Sequence, residues 1–98
     1  MKTSLELVIK EEASIEIQDA FDYYEEQQVG LGAYFIKTLY NRLESICKRP
    51  ASCPLIYNSY RQAVVSKFPF VVVYEIENNT VVVYSVFHTS RDPDTKIK

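Results

Sequence analysis

Both glycines of this 98-residue chain stand in one short segment, as Gly30 and Gly32. On each side of that segment, apolar residues recur at the 3.6-residue period of an amphipathic helix. The pattern predicts one helix over residues 11–28 and a second over residues 31–48, which Pro50 stops. Glycine readily takes the positive φ that ends a helix. Gly30 is therefore expected to close the first helix and let the second lie antiparallel to it.

Strand patterns lie on both sides of this helical pair. Residues 4–10 alternate polar and apolar side chains, as a strand with one buried face does. Asn78 and Asn79 separate two valine-rich runs and are a hairpin signal, whereas residues 51–59 are interpreted as a connecting loop. Three further strands are predicted from β-branched and aromatic runs, over residues 60–66, 70–77 and 80–87. The order β-α-α-β-β-β predicts an α+β fold, with a two-helix hairpin packed on a mainly antiparallel sheet.

The composition limits the class of protein. With 47% hydrophobic and 13% aromatic residues, the chain can form one packed domain over residues 1–98. No apolar run reaches the roughly 18 residues of a membrane span, and no signal-peptide pattern is present. A cytoplasmic protein without a membrane partner is expected. Cys47 and Cys53 are interpreted as structural or incidental thiols, and neither a metal site nor a cofactor is expected.

Charge is distributed unevenly along the chain. The net charge of −2 does not favour generic nucleic-acid binding. Residues 1–59 carry six basic and nine acidic side chains, a balance of −3, while residues 60–98 carry five and four, a balance of +1. An anionic partner is therefore expected to meet the C-terminal part.

His88 and Arg91 are the candidates for catalysis. Histidine is the side chain that titrates nearest neutral pH, and His88 is the only histidine. In RNA cleavage His88 would shuttle a proton, while Arg91 would stabilise charge on the phosphate. The competing interpretation has His88 hydrogen bonded at a sheet edge and Arg91 paired with a nearby acid. Because no second acid–base partner is evident in the sequence, the structural interpretation is favoured.

The eight tyrosines are divided between core and interface. Tyrosine usually fills a core with its hydroxyl at the rim, which is the expectation for Tyr24, Tyr74 and Tyr84. Tyr57 and Tyr60 lie near the predicted loop, where a role in an interface is expected.

Several motifs, taken in order, resemble one family of toxins. The segments in question are Tyr23-Tyr24-Glu25, Gly30-Leu31-Gly32 with Phe35, Ile46 with Pro50, Arg61, Lys67-Phe68-Pro69-Phe70 with Tyr74, and His88 with Arg91-Asp92-Pro93. They are similar to the "YYE…GLG..F", "R…KFPY…Y" and "H.SRDP" segments of ParE-like and plasmid-stabilisation toxins. Over residues 5–94 the chain thus resembles the RelE/ParE toxin superfamily.

The resemblance also implies an activity. Where many relatives have Tyr followed by Arg, this chain has Phe70 followed by Val71, and no tyrosine follows Tyr84. RelE-type ribonucleases use such an Arg and a C-terminal Tyr, so the resemblance implies a ParE-like, non-catalytic inhibitor of DNA gyrase. Its implied partners are the gyrase and a cognate antitoxin of acidic or amphipathic character. The implied target-binding residues are Arg61, Lys67 and Arg91.

Two alternatives stay open at this stage. One is a RelE-like, ribosome-dependent mRNA endonuclease, with the ribosome and mRNA as partners and His88 and Arg91 as catalytic residues. The other is a non-toxic relative that acts only as an antitoxin-binding module. Homodimerisation is left open as well.

Overall fold

A computed structural model describes residues 4–89 of the chain and confirms the predicted α+β class. Its order is β-α-α-β-β-β-β, so the prediction of residues 51–59 as a plain connecting loop was wrong. That segment contains a short 3₁₀ turn, Pro50–Ser52, and an additional strand. The elements are β1 (Glu6–Ile9), α1 (Glu11–Gln27), α2 (Leu31–Lys48), β2 (Leu55–Tyr57), β3 (Tyr60–Val65), β4 (Phe70–Glu77) and β5 (Thr80–His88).

The missed strand β2 forms an edge of the sheet. Leu55 pairs with Arg61 and Tyr57 pairs with Tyr60, across a turn in which Asn58 has a φ of +50°. Three residues are too few to show a strand's two-residue period, so tertiary pairing rather than local pattern makes this strand.

The five strands form one sheet in the order β1-β5-β4-β3-β2. The β1–β5 pair is parallel and the other three pairs are antiparallel, so the sheet is mainly antiparallel, as predicted. Asn78 has a φ of +55° in the turn between β4 and β5, which confirms the hairpin predicted there.

The hydrophobic core lies between the two helices and one face of the sheet. Four side chains of α2 are fully buried there, namely Phe35, Leu39, Leu43 and Ile46. Tyr74 of β4 is also fully buried, as predicted, and its hydroxyl donates a 2.6 Å hydrogen bond to the Pro50 carbonyl. The opposite face of the sheet carries a smaller cluster of Val71, Val73 and Phe87.

The glycine segment is fixed by contacts with α1. Gly30 has the predicted positive φ, at +92°. The two carboxylate oxygens of Glu25 accept hydrogen bonds from the backbone N–H groups of Gly30, at 2.8 Å, and Gly32, at 2.9 Å. A Cβ at Gly32 would lie only 2.6 Å from the backbone oxygen of Phe21. The two helices therefore approach each other at a point where only glycine fits, and an acid of α1 caps the start of α2.

Candidate functional site

The sequence-predicted site residues are distributed over two ends of the sheet. Arg61 is aligned with Tyr74 near one end of β3, whereas Val65 at the other end pairs with Phe70, which in turn pairs with His88. The span from Arg61 to Val65 is about 13 Å at the usual strand rise. Lys67 follows β3, at the same end as His88. Arg91 lies outside the described residues.

Arg61 bonds to the segment that leads into β2. Its Nη1 donates to the Cys53 carbonyl at 2.6 Å and to the Ala51 carbonyl at 3.4 Å. The guanidinium therefore holds the irregular backbone after α2 against β3. Arginine has five N–H donors, so this bonding leaves further donors on the half-buried side chain.

His88 ends β5 beside α1. Its ring meets Phe70 edge-on, with ring centroids 5.3 Å apart. It lines a groove of about 290 Å³ together with Glu16, Asp19, Ala20, Tyr23, Tyr24, Phe70, Val86 and Phe87. We call this the α1–β5 groove. The acids Glu16 and Asp19 line this groove, and no lysine or arginine among the described residues does.

The strand register explains the acid in this groove. β1 pairs with β5 only over Thr80–Val83, and the next part of β5 faces α1 instead. There one oxygen of Glu16 accepts hydrogen bonds from the Ser85 hydroxyl and from the Val86 backbone N–H, both at 2.9 Å. The glutamate thus satisfies a strand-edge donor that β1 does not reach.

Three tyrosines singled out in the sequence, Tyr24, Tyr84 and Tyr57, lie in different parts of the molecule, and of these three only Tyr24 lines this groove. Burial, and then the neighbouring Tyr23, raises the pKa of Tyr24. Burial, together with a hydrogen bond to Glu75, raises the pKa of Tyr84 to about 12. Both hydroxyls therefore remain protonated at neutral pH. Tyr24 and Tyr84 are half-buried, while Tyr57 is 51% exposed at the β2 edge.

A second concavity lies between α2 and the β3–β4 turn, with a volume of about 440 Å³. We call it the cationic cleft, because Lys37, Arg42 and Lys67 line it and no acidic residue does. Its other lining residues are Tyr34, Thr38, Asn41, Ser45 and Ser66. The cleft brings together one residue that the sequence singled out, Lys67, and two that it did not.

Arg42 is held in place by three hydrogen bonds. Its Nε donates to the Val64 carbonyl at 2.8 Å, Nη1 to the Ser45 hydroxyl at 2.9 Å, and Nη2 to the Cys53 sulfur at 3.4 Å. Arg42 is not among the site residues predicted from the sequence, and its bridge to β3 was not expected. A usable signal was present, because Tyr34, Thr38, Asn41 and Ser45 follow one another at steps of four, three and four, a polar stripe on one helix face.

Lys67 stands in the β3–β4 turn with a φ of +73°. That conformation is uncommon for any residue other than glycine, asparagine or aspartate. The ammonium lies 5.7 Å from the centre of the Tyr34 ring, a cation–π distance. The turn thus places a positive side chain over an aromatic ring at the mouth of the cleft.

Residues 4–89 do not supply the features of a metal, disulfide or membrane-spanning site. That part of the chain contains no cluster of three or more metal-ligating side chains, and Cys47 and Cys53 are buried free thiols. Neither of its helices is long and apolar enough to cross a membrane.

The helix hairpin on one face of a mainly antiparallel sheet is shared with a solved structure. That structure, titled "Chromosomal ParDE TA system from P. aeruginosa", matches with a TM-score of 0.78 at 10% identity, over 89% of this chain and 98% of that one. The sequence model of the family described as ParE toxin of type II toxin-antitoxin system, parDE, matches residues 7–93. The chain belongs to this ParE toxin family, which confirms the resemblance in its motifs. Among curated proteins, no sequence matches significantly.

Proposed function

We propose that this toxin acts in the cytoplasm by binding DNA gyrase and inhibiting it without catalysis. Membership of the ParE family supports the toxin role, and gyrase as the target is inferred from the ParE-like motifs. The structural support comes from where the charges lie.

The acidic surroundings of His88 are the observation that carries a non-catalytic mechanism. Cleavage of RNA needs positive groups on the phosphate beside the acid–base residue. Glu16 and Asp19 line the groove of His88, whereas Lys37, Arg42 and Lys67 line a different concavity. In the described part of the chain, His88, the candidate for proton transfer, therefore lies in a different concavity from the three cations that could bind phosphate. This arrangement suits binding better than cleavage.

The target contacts proposed are Arg61, Lys67 and Arg91. Lys67 is exposed at a turn, and its strained backbone supports a role beyond folding. Arg61 is braced by two carbonyls and keeps donors for a partner. Arg91 is proposed from the motif alone.

A cognate antitoxin is proposed as the second partner. The solved ParDE system shares the fold, and the neighbouring strands β2 and β3 of this chain expose apolar side chains. Leu55, Tyr57 and Val64 are 56%, 51% and 62% exposed, and an amphipathic segment would cover them. Co-expression of the cognate antitoxin is expected to restore growth, and Tyr57→Ser is expected to weaken that rescue.

A gyrase assay tests the proposal directly. Purified toxin is expected to inhibit supercoiling of relaxed plasmid by DNA gyrase, and pulse labelling of induced cells should show DNA synthesis falling before protein synthesis. Lys67→Gly should weaken inhibition about fivefold, the effect of one exposed ionic contact of about 1 kcal/mol. Lys48→Gln, an exposed lysine of α2 outside the cleft, is the matched control.

The same measurements can also contradict gyrase as the target. If supercoiling is unaffected while protein synthesis falls first and messages are cut on the ribosome, the gyrase proposal is wrong. His88→Ala and Arg91→Ala would then be expected to abolish the cleavage, as for catalytic residues of an mRNA endonuclease.

A further inference from the structure

We propose that the cationic cleft binds single-stranded nucleic acid, with backbone phosphates at Lys37 and Lys67 and a base against Tyr34. The inference goes beyond gyrase inhibition, with which it shares only Lys67. Three observations carry it, namely the charge of the cleft, the backbone of its turn and the aromatic ring in its wall.

The charge of the cleft differs from that of the molecule as a whole. The chain has a net charge of −2, and α1 alone carries seven acids and no base. The cleft nevertheless gathers three cations, with hydroxyl and amide groups between them and no acid. Concave surfaces lined by one sign of charge concentrate the opposite one, so an anionic ligand is drawn to this face and repelled from α1.

The cleft is also pre-organised. The three hydrogen bonds of Arg42 fix its guanidinium between α2 and β3, so the cleft wall loses little side-chain freedom when a ligand arrives. Lys67 occupies a left-handed conformation that would cost a glycine nothing. A lysine in this conformation costs stability that a glycine would not, which supports a use for its ammonium outside the fold.

The aromatic ring decides between nucleic acid and an acidic peptide. Tyr34 is 42% exposed, with Phe68 at 5.5 Å between ring centroids and the Lys67 ammonium at 5.7 Å. An exposed cation–π contact is worth only about 0.5–1 kcal/mol, so Lys67 can leave the ring for a phosphate and uncover its face. Aromatic rings beside cations are how proteins hold unpaired bases and their backbone. A peptide carboxylate would use the cations but not the ring.

Fluorescence anisotropy with labelled oligonucleotides tests the inference. Oligo-dT and oligo-U of about 12 nucleotides are titrated with the purified toxin at about 50 mM salt, and these two arms separate DNA from RNA as the source of the phosphates. Saturable binding is expected, with a slope of log affinity against log salt of about −1.4 to −2.1, as for two or three phosphate contacts on a single strand.

Single substitutions test the contribution of each cleft residue to oligonucleotide binding. Lys37→Gln and Lys67→Gly should each weaken binding about fivefold and reduce the salt slope by about 0.7. Tyr34→Leu should weaken binding at least about fivefold without changing the slope, and Tyr34→Phe should keep full affinity, because stacking needs only the ring. Lys48→Gln should change neither quantity. Thermal melting of each variant shows that it is folded.

Several outcomes would overturn the inference. These are the absence of saturable binding of either oligonucleotide, an equal loss of affinity in Lys48→Gln, or competition by a polyglutamate peptide as effective as that by oligonucleotide. The last would make the cleft a docking site for acidic protein segments. Supercoiling by DNA gyrase is measured separately, so the two proposals can fail independently. Inhibition of gyrase without oligonucleotide binding would contradict only this inference. Oligonucleotide binding without inhibition of gyrase would contradict only the gyrase proposal.

Discussion

Among residues 4–89, four turns contain a residue in the left-handed region, and two of these turns differ sharply in which residue occupies it. The turn between the helices has Gly30, at a φ of +92°, and the turn between β3 and β4 has Lys67, at +73°. Glycine adopts this conformation freely, whereas a lysine there is strained by about 1–2 kcal/mol. The helix turn therefore carries the residue that favours folding, and the strand turn carries one that does not.

The surroundings of the two turns explain the difference. At the helix turn, Glu25 and the close approach of Gly32 to Phe21 fix the chain tightly. At the strand turn, Lys67 is exposed and faces Tyr34 across the cationic cleft. The strained backbone of Lys67 therefore indicates that its side chain acts in binding and not in folding. The following variants test that conclusion.

Gly32→Val should have the largest effect on stability. A Cβ there would stand 2.6 Å from the Phe21 backbone oxygen, which cannot move without separating the helices. The free energy of unfolding should fall by about 3 kcal/mol, measured by urea denaturation. A loss below about 1 kcal/mol would show that the hairpin can open at this point.

Glu25→Ala should have the second-largest effect on the free energy of unfolding. It removes acceptors from two N–H groups at the start of α2, and such a cap contributes about 1–2 kcal/mol. Glu26→Ala, at the adjacent exposed acid, is the control and should change stability by less than about 0.5 kcal/mol. Equal losses would mean that general charge on α1 matters, and not the cap.

Gly30→Ala isolates the backbone cost in the helix turn. A Cβ at this position would meet nothing within 4 Å, so only the left-handed conformation opposes it. Denaturation should show a loss of about 1 kcal/mol, with a smaller loss for Gly30→Asn, because asparagine tolerates this region. If the alanine variant is as stable as the parent, the left-handed conformation has no cost for a residue other than glycine, and the comparison of Gly30 with Lys67 fails.

Lys67→Gly should show the reverse pattern, with a small gain in stability and a loss of function. Relief of about 1–2 kcal/mol of strain should outweigh the added freedom of the unfolded chain, which costs about 0.4–1 kcal/mol, and leave the variant about 1 kcal/mol more stable than the parent. Lys67→Ala keeps the strain and should be about 1 kcal/mol less stable than Lys67→Gly. If the glycine variant unfolds more readily than the alanine variant, Lys67 serves the fold after all.

The turn between β2 and β3 should show the smallest effect on stability, and this effect should disappear in acid. The Ser59 hydroxyl donates to Glu75 and lowers the pKa of that carboxyl from its usual 4.5. The folded state then holds this carboxylate ionised below pH 4.5, so the contribution is present above that pH and disappears as the pH falls through the lowered pKa. Melting temperatures of the parent and Ser59→Ala should differ slightly at pH 6 and converge in acid. A constant difference across that range would contradict the assignment.

The sequence predicted the features that depend on neighbours in the chain. The periodicity of two helices, the conformation of Gly30 and the Asn78 turn are set by local sterics and by which face must be buried. The ordered motifs also identified the family, which the match over residues 7–93 confirms.

Only the tertiary structure decided the rest. The strand β2 is too short to have its own pattern and exists because β3 pairs with it. The cationic cleft joins Lys37 and Arg42 of α2 to Lys67, which is 25 positions beyond Arg42 in the chain. Parallel pairing of β1 with only half of β5 leaves His88 beside the acids of α1. Local sterics and the burial of one face determine backbone φ and hydrophobic periodicity. Exposed charges from distant segments come together only when those segments pack, so their proximity cannot be read from a local pattern.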